Sequence, residues 1–251
     1  FLHDIYAKVF SKDFSRLKDK LVKAYSLLNY RNIAKNAKIV FTVSEFSKKQ
    51  IAEMYKIPTQ KICVVPNGWD HFNSIEEDER IFERFPSLKK GDFYFTLGSL
   101  SKRKNLAWIC KYAKSHPDEN FAVSGKAISG LVPEELKDLK TLKNVTLLGY
   151  VSDGEVKSLM KNCKAFVFPS YYEGFGIPPL EALSVGAKII VSKAASLPEI
   201  YKNTAHYISP DNANVQLKEL LKEETAAPDE ILKKYTYDAA AKKLYETLKK
   251  S

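Results

Sequence analysis

Short apolar runs alternate with segments of helical spacing over residues 92–209 of this 251-residue chain. Between the runs, apolar residues recur three or four positions apart, as at Val156, Leu159 and Met160. The runs predict six strands, over residues 92–98, 120–125, 144–149, 164–170, 187–192 and 205–209. Strands joined by crossover helices form parallel sheets that are covered on both faces. The alternation therefore predicts an α/β fold with a doubly wound, six-stranded, Rossmann-like sheet, which binds ligands beyond the carboxyl ends of its strands.

The first part of the chain contains a shorter α/β segment. Residues 37–44 and 61–68 predict two more strands, and Ser44 suits the N-cap of a helix that ends near Tyr55. A polar stretch from Asn73 to Arg84 predicts a connection between two domains. We therefore expect four parts: the remnant of an N-terminal α/β domain (1–72), a linker (73–90), a ligand-binding Rossmann-like domain (91–226) and a C-terminal helix (227–251) that packs back toward the N-terminal part.

An apolar stripe near the start of the chain predicts an amphipathic helix over residues 8–28, with lysines around it. Such a helix packs on a domain, which we favour, or lies on an anionic membrane. The formal net charge is +10, and residues 1–70 hold 13 Lys/Arg against six Asp/Glu. This excess suggests either an anionic partner, such as acidic lipid or a phosphorylated ligand, or a solvated helix face. Nucleic acid is not expected, because the chain shows no aromatic-basic platform and no reading helix. The stripe comprises Phe10, Phe14, Leu17, Leu21, Ala24 and Leu28.

The composition places limits on metal binding and on location. The three cysteines are far apart, and the four histidines do not cluster, so neither a zinc site nor a disulfide framework is predicted. A reducing cytoplasm fits this cysteine usage best. No apolar run reaches the roughly 18 residues that span a bilayer. We expect a cytoplasmic protein whose membrane contact, if it has one, is peripheral and on the inner face.

The stretch YYEGFGIPPLEALSVG carries two glutamates, Glu173 in a predicted loop and Glu181 in the first turn of a helix. Gly174 and Gly176 allow close approach of the backbone to a ligand, and the helix start favours an anion such as phosphate. Carboxylates repel phosphate but accept hydrogen bonds from paired hydroxyls. The stretch therefore suits a ligand with phosphates in its middle and hydroxyl-bearing rings at both ends, such as a nucleotide sugar.

The stretch LGSLSKRKN, which follows the first strand of the large sheet, supplies the cations that a diphosphate needs. Lys102, Arg103 and Lys104 stand just before a predicted helix, an arrangement typical of anion binding. No Asp-x-Asp triplet, which metal-dependent sugar transferases use to hold Mg²⁺ or Mn²⁺, occurs in the sequence. We therefore expect that Lys and Arg stabilise a departing diphosphate without a metal or other cofactor.

Five stretches together resemble the retaining glycosyltransferase family four, of GT-B fold: PSYYEGFGIPPLEAL, GSLSKRKNL, FTVSEFSKKQI, VVPNGWDHF and ASLPEI. Members include bacterial transferases of surface polysaccharides. The resemblance implies two Rossmann-like domains around a cleft, with a nucleotide diphosphate sugar bound mostly by the C-terminal one. The acceptor, a glycan or lipid-linked glycan, would bind mostly to the N-terminal one.

The resemblance also implies roles for particular residues. Glu173 would face the hydroxyls of the donor sugar and Glu181 the ribose, while Arg103 and Lys104 would grip the diphosphate. FLHDIY resembles the His-Asp pair of the family, which places His3 near the reacting sugar. Further contacts to the sugar or phosphate would come from the 174–176 backbone and from the start of the basic loop, and the 149–151 turn would frame the base. These contacts comprise Gly174, Phe175, Gly176, Gly98, Ser99, Gly149, Tyr150 and Val151.

The chain departs from the family pattern in two respects. Many members carry arginine directly after the glycine of the basic loop, where this chain has Ser99. In addition, the glycine-rich loop and much of the acceptor surface of the N-terminal domain would precede His3. We therefore expect a fragment of a longer enzyme or a shortened relative. The alternative is a non-catalytic nucleotide-sugar-binding or partner subunit of GT-B fold. The donor base, the hexose and the acceptor are not readable from these residues.

Overall fold

The computed structural model describes residues 1–10, 17–98, 101–125 and 137–250, and it shows two α/β lobes. The first lobe contains a parallel pair of strands, β1 (Val40–Thr42) and β2 (Ile62–Val64). Its helices are α1 (Tyr6–Val9), α2 (Leu17–Asn36) and α3 (Glu45–Tyr55). Ser44 caps α3 as predicted, because its hydroxyl accepts a hydrogen bond from the Ser47 amide at 3.0 Å.

The second lobe is built on the six-stranded parallel sheet that the sequence predicts. Its order is β5-β4-β3-β6-β7-β8, so the direction of strand addition reverses between β3 and β6. The strands are β3 (Phe93–Leu97), β4 (Asn120–Ser124), β5 (Val145–Gly149), β6 (Ala165–Phe168), β7 (Ile189–Ser192) and β8 (His206–Ile208). The helices are α4 (Arg80–Arg84), α5 (Leu106–Ser115), α6 (Asp153–Asn162), α7 (Pro178–Ser184), α8 (Leu197–Tyr201), α9 (Leu217–Leu220), α10 (Asp229–Lys234) and α11 (Tyr237–Lys249).

Both faces of the large sheet are covered, as expected for parallel strands. Phe95 and Phe166 belong to one apolar core, whereas Tyr94 and Phe121 belong to the core on the opposite face. Successive side chains of a strand point to opposite faces, so β3 contributes to both cores. This double burial fixes the sheet and leaves its carboxyl edge as the place where loops can meet a ligand.

The amphipathic helix predicted over residues 8–28 differs in the structure. Helix α1 ends at Val9, so Phe10 lies outside it, and α2 continues to Asn36. Phe14 lies outside the described residues. Leu21 and Leu28, which we expected to pack on a domain, are 65% and 66% exposed. The packed face of α2 lies further along, where Ile33 and its neighbours cover the core of the first lobe.

The predicted linker, residues 73–90, forms part of the packed structure. It contains α4, whose Ile81 is fully buried, and Leu88 is almost fully buried in the same core. Beyond residue 227 the structure has two helices, α10 and α11, where the sequence predicted one. Helix α11 reaches back to the first lobe, where Thr247 Oγ1 lies 3.4 Å from Cys63 Sγ. The lobes also touch directly, because the Glu199 carboxylate accepts from the backbone amides of Glu45 and Phe46 at the start of α3. Among the described residues, no helix is both long and apolar enough to cross a membrane.

Candidate functional site

The two loops that the sequence singles out meet where the strand order reverses. The basic loop follows β3, and the two-glutamate loop follows β6, its neighbour in the sheet. The amide of Tyr171 donates a hydrogen bond to the Arg103 carbonyl at 2.8 Å, which joins the loops directly. A strand switch point opens a crevice at the carboxyl edge, so these loops line the usual ligand site of an open α/β sheet.

Glu173 forms a compact ion cluster with the two cations of the basic loop. Its Oε1 accepts from Lys104 Nζ at 2.7 Å, and its Oε2 accepts from Arg103 Nη1 at 3.0 Å. The side chains of Glu173 and Lys104 are only 9% and 13% exposed. Burial lowers the pKa of the Lys104 ammonium, although the adjacent carboxylate opposes this shift. The Asp4 carboxylate is also close enough to favour the charged ammonium. Because burial works against the charge on Lys104, an added anion would stabilise its protonated form further.

Aromatic rings and backbone contacts hold these cations in place. The Lys104 ammonium lies 4.7 Å from the centre of the Phe168 ring, and the Arg103 guanidinium lies 5.3 Å from that of Tyr6. Tyr6 belongs to α1, so the first lobe reaches the basic loop. A Cβ on Gly98 would lie 3.3 Å from the Lys104 stem, so Lys104 lies along the backbone at the end of β3.

Gly174 lies against the first lobe. A Cβ there would come within 2.8 Å of the His3 carbonyl oxygen and 3.1 Å of the Asp4 Cβ. The Gly174 carbonyl accepts from Ser44 Oγ at 2.7 Å and from Ser47 Oγ at 3.3 Å. In this structure, the glycine that the sequence suggested for close approach of a ligand serves close approach of the backbone at residues 3–4. The same contact places His3, whose side chain is exposed, beside the two-glutamate loop.

The rest of the loop is held by hydrogen bonds to its carbonyl groups. Ser196 Oγ donates to the carbonyls of Glu173 and Phe175 at 2.9 and 3.2 Å, and the Tyr201 hydroxyl donates to that of Gly176. The Phe175 ring is buried against Tyr235. These carbonyls are thus engaged within the protein, and their hydrogen bonds hold the loop against α8 and the residue before it.

A cavity of about 480 Å³ opens at the carboxyl edge of the sheet. The three charged side chains of the ion cluster do not line it, but Gly98, against which the Lys104 stem lies, does. Five of the residues predicted to contact the donor line it, namely Gly98, Gly149, Tyr150, Val151 and Glu181. The lining also includes residues that were not predicted, among them His71 and Asp153. Tyr150 is the most exposed of the large side chains at this edge. A Cβ on Gly125 would lie 1.9 Å from the Gly98 carbonyl oxygen, so only glycine allows the ends of β3 and β4 to approach so closely. Ser99 lies outside the described residues.

Glu181 extends from the first turn of α7, which begins with Pro178 and Pro179 as predicted. Its Oε1 lies 3.1 Å from His71 Nε2. Burial raises the pKa of the Glu181 carboxyl, His71 counteracts this shift, and the nearby Asp153 carboxylate reinforces it. No group of three His, Cys, Asp or Glu side chains arranged to hold a metal ion occurs among the residues that the structure describes.

Sequence reasoning missed two residues of this region. His71 lies within VVPNGWDHF, but no spacing links it to Glu181, which belongs to a distant helix. Asp4 follows the predicted His3; its charge favours protonation of Lys104, and it lies beside Gly174. The acidic partner of the His-Asp pair was a signal that could have identified Asp4, whereas nothing local marked His71.

The fold and the cleft together define a two-lobed α/β protein. At a strand switch point it presents the Glu173–Lys104–Arg103 ion cluster and a cavity lined by the Glu181 carboxylate. The chain belongs to the glycosyltransferase family described as "Glycosyl transferases group 1", which matches residues 77–242. "Glycosyltransferase Family 4" matches residues 1–71. The family suggested by the five sequence stretches is therefore confirmed.

Curated relatives include bacterial O-antigen enzymes. The chain is 29% identical over 214 residues to the O-antigen chain mannosyltransferase RfbU of Salmonella typhimurium, covering 84% of this chain and 56% of that protein. It is 30% identical over 191 residues to an Escherichia coli UDP-Gal:alpha-D-GlcNAc-diphosphoundecaprenol alpha-1,3-galactosyltransferase, covering 71% of this chain and 49% of that protein. The chain thus spans about half the length of the curated relatives it matches.

Solved structures show the same fold. Anabaena Alr3699/HepE, solved in complex with UDP and glucose, superposes with a TM-score of 0.76 over 90% of this chain and 67% of that chain, at 19% identity. A glycosyltransferase from Rickettsia africae gives a TM-score of 0.73 over 88% of this chain and 65% of that chain, at 20% identity. These similarities confirm the expected GT-B fold.

Proposed function

We propose that this chain is the donor-binding part of a retaining, metal-independent hexosyltransferase. It takes a hexose from a nucleotide diphosphate sugar and transfers it to a glycan or lipid-linked glycan in polysaccharide biosynthesis at the cytoplasmic side of the membrane. The observation that carries the proposal is the Glu173–Lys104–Arg103 cluster at the same sheet edge as the cavity that contains Glu181. Family membership and the names of the relatives support the same activity.

The geometry suggests how the donor would be held. The diphosphate would bind Lys104 and Arg103, which now pair with Glu173, and its charge would stabilise the protonated form of Lys104. Glu173 would then be free to accept hydrogen bonds from sugar hydroxyls and to face the positive charge that develops on the sugar. As the bond between the anomeric carbon and the diphosphate oxygen breaks, the acceptor oxygen bonds to that carbon on the same face. The acceptor proton passes to the leaving diphosphate, whose charge the two cations stabilise. Glu181 would hold the ribose.

Donor binding can be tested with the 251-residue chain. We expect thermal stabilisation by one member of a panel of UDP-, GDP- and dTDP-sugars. A hundredfold excess over Kd gives about 2.7 kcal/mol. The shift should be the same with EDTA as with Mg²⁺ or Mn²⁺, and a requirement for metal would contradict the metal-independent mechanism. Stabilisation by none of the nucleotide sugars would contradict donor binding itself.

The catalytic roles are tested by measuring hexose transfer. Glu173→Ala or Lys104→Ala should each lower kcat/KM by about 100-fold or more, or about 3 kcal/mol of transition-state stabilisation. Lys102→Ala is the matched control, because Lys102 belongs to the same basic turn but is exposed. Near-full activity in both test variants would remove these roles. The anomeric configuration of the product, read by NMR, tests retention.

The acceptor side of the proposal includes contact with an anionic membrane surface. Leu21, Tyr25 and Leu28 are 65%, 70% and 66% exposed, and their spacing of four and three residues places them on one face of α2. Lys20, Arg31 and Lys35 are exposed on the same helix. An exposed apolar stripe beside cations is typical of helices that lie on anionic lipid.

Vesicle flotation tests this surface. The chain should bind vesicles that contain phosphatidylglycerol and not vesicles of phosphatidylcholine alone, and the Leu21→Ser/Leu28→Ser variant should lose binding. Leu147→Ser, which alters an exposed leucine of the other lobe, is the control. Equal binding to both kinds of vesicle, or none, would contradict the proposed contact.

A further inference from the structure

The turn that carries His71 is fixed firmly against the C-terminal helix. A Cβ on Gly68 would come within 2.3 Å of the Tyr237 backbone nitrogen, so the two backbones are packed directly on one another. Asp70 Oδ1 accepts from the same Tyr237 amide at 2.6 Å, and the Phe72 side chain is buried. The His71 ring itself packs edge-on against the Tyr237 ring, with centroids 5.7 Å apart. The position of the imidazole is therefore set by the packing of residues on both of its sides.

The imidazole, which is 45% exposed, faces Glu181 at the cavity. His71 Nε2 lies 3.1 Å from Glu181 Oε1, and within the described part of the chain His71 is the hydrogen-bonding or ionic partner of that carboxylate. Both side chains line the cavity that also contains Gly149, Tyr150 and Val151. A ligand that reaches Glu181 therefore contacts a carboxylate whose Oε1 is already paired with His71.

We propose that His71 is a positioning residue for the nucleotide, holding one carboxylate oxygen of Glu181 so that the other faces the ribose hydroxyls. This inference rests on the proposed function, because it assumes that a nucleotide occupies the cavity. Ribose hydroxyls donate hydrogen bonds, so they need an ionised carboxylate as acceptor. The imidazole supplies a donor to that carboxylate in a place where burial works against its charge.

The groups around Glu181 show why its carboxylate needs a partner that favours the ionised form. Asp153 lies near enough to disfavour the charged carboxylate, and the hydroxyls of Tyr201 and Tyr237 also interact with it. Of these side chains, His71 is the one that favours the ionised form. Removing the imidazole should therefore weaken nucleotide binding. The loss of nucleotide affinity on acidification should also begin at a higher pH, because Glu181 would take up a proton more readily.

The experiment measures binding by calorimetry to the 251-residue chain. UDP, GDP and ADP are screened first, the tightest becomes the probe, and inorganic pyrophosphate is the control ligand. His71→Ala should weaken the nucleotide about tenfold, the order expected for one hydrogen bond to a charged group. Pyrophosphate binding, which depends on Lys104 and Arg103, should not change. His71→Gln, which keeps an N–H donor, should recover most of the affinity.

A double variant and a pH series complete the test. His71→Ala/Glu181→Ala should bind the nucleotide no more weakly than Glu181→Ala, since His71 acts through Glu181. The acid loss of binding should occur at higher pH in His71→Ala than in the wild type. Additive losses in the double variant, or an equal loss of pyrophosphate binding, would overturn the assignment. Failure of the wild type to bind any nucleoside diphosphate would refute the proposed function and this inference together, whereas nucleotide binding that His71→Ala leaves unchanged would refute only the inference.

Discussion

Replacing Lys104 with methionine tests whether the ion cluster contributes more to ligand binding than to the stability of the fold. In the free protein, the Lys104 ammonium and the Glu173 carboxylate are 2.7 Å apart and mostly buried, and Arg103 provides a second contact at 3.0 Å. Methionine keeps most of the side-chain volume against Gly98 and Phe168 while removing the charge. The change therefore removes one ion pair and leaves the packing nearly unaltered.

The magnitude follows from the number of remaining partners. Lys104→Met takes one charged hydrogen bond from a buried carboxylate that retains Arg103, so we expect a loss of about 2 kcal/mol in unfolding free energy. Glu173→Gln removes the carboxylate that pairs directly with both cations and should cost about the same. The double variant should lie within about 1 kcal/mol of the wild type, because burial already disfavours the charge on Lys104 and a neutral pair avoids that cost.

Urea unfolding of the four proteins measures the coupling between the two residues. Fluorescence and far-UV circular dichroism must give the same transition before a two-state free energy is calculated. We expect a coupling energy of about 3 kcal/mol. Nucleotide-sugar binding should be lost in the double variant even though its stability is restored. Additive losses of stability, or retained binding in the double variant, would refute the reasoning.

Two further variants probe the ends of the two-glutamate stretch. Gly174→Ala should destabilise the protein by about 1–3 kcal/mol, because the new Cβ would overlap the His3 carbonyl. Hydrogen exchange at the Leu2 amide, which donates to the Phe41 carbonyl, should become faster as the contact opens. Unchanged stability and exchange would show that the loop can move away. Glu181→Gln should stabilise the ligand-free protein at neutral pH. Burial raises the pKa of the Glu181 carboxyl in the folded state above the unfolded value of 4.5. The wild type therefore loses stability as the pH rises from 4.5 through the folded-state pKa, and glutamine, which does not ionise, avoids this loss. The difference from the wild type should diminish in acid urea titrations below the unfolded pKa, and a destabilised variant at neutral pH would contradict this account.

The sequence predicted the large sheet well because apolar periodicity is a local property. Six runs gave the six strands, and Ser44 gave the start of α3. It was wrong about Phe10 and about the covered face of α2, because an amphipathic pattern shows that a helix has two faces but not which neighbour covers one of them. The roles of the predicted site residues in catalysis and donor binding stay predictions.

What the sequence determined by itself was the order of strands, helices and loops, and the kinds of charge that each loop carries. Only the tertiary structure decided which loops meet. Glu173 reaches Lys104 because β6 lies next to β3, and Glu181 reaches His71 because a turn of the first lobe is packed on the C-terminal helix. Local patterns depend on residues that are neighbours in the chain. These contacts depend on how distant segments pack, and the spacing of residues along the sequence does not predict that packing.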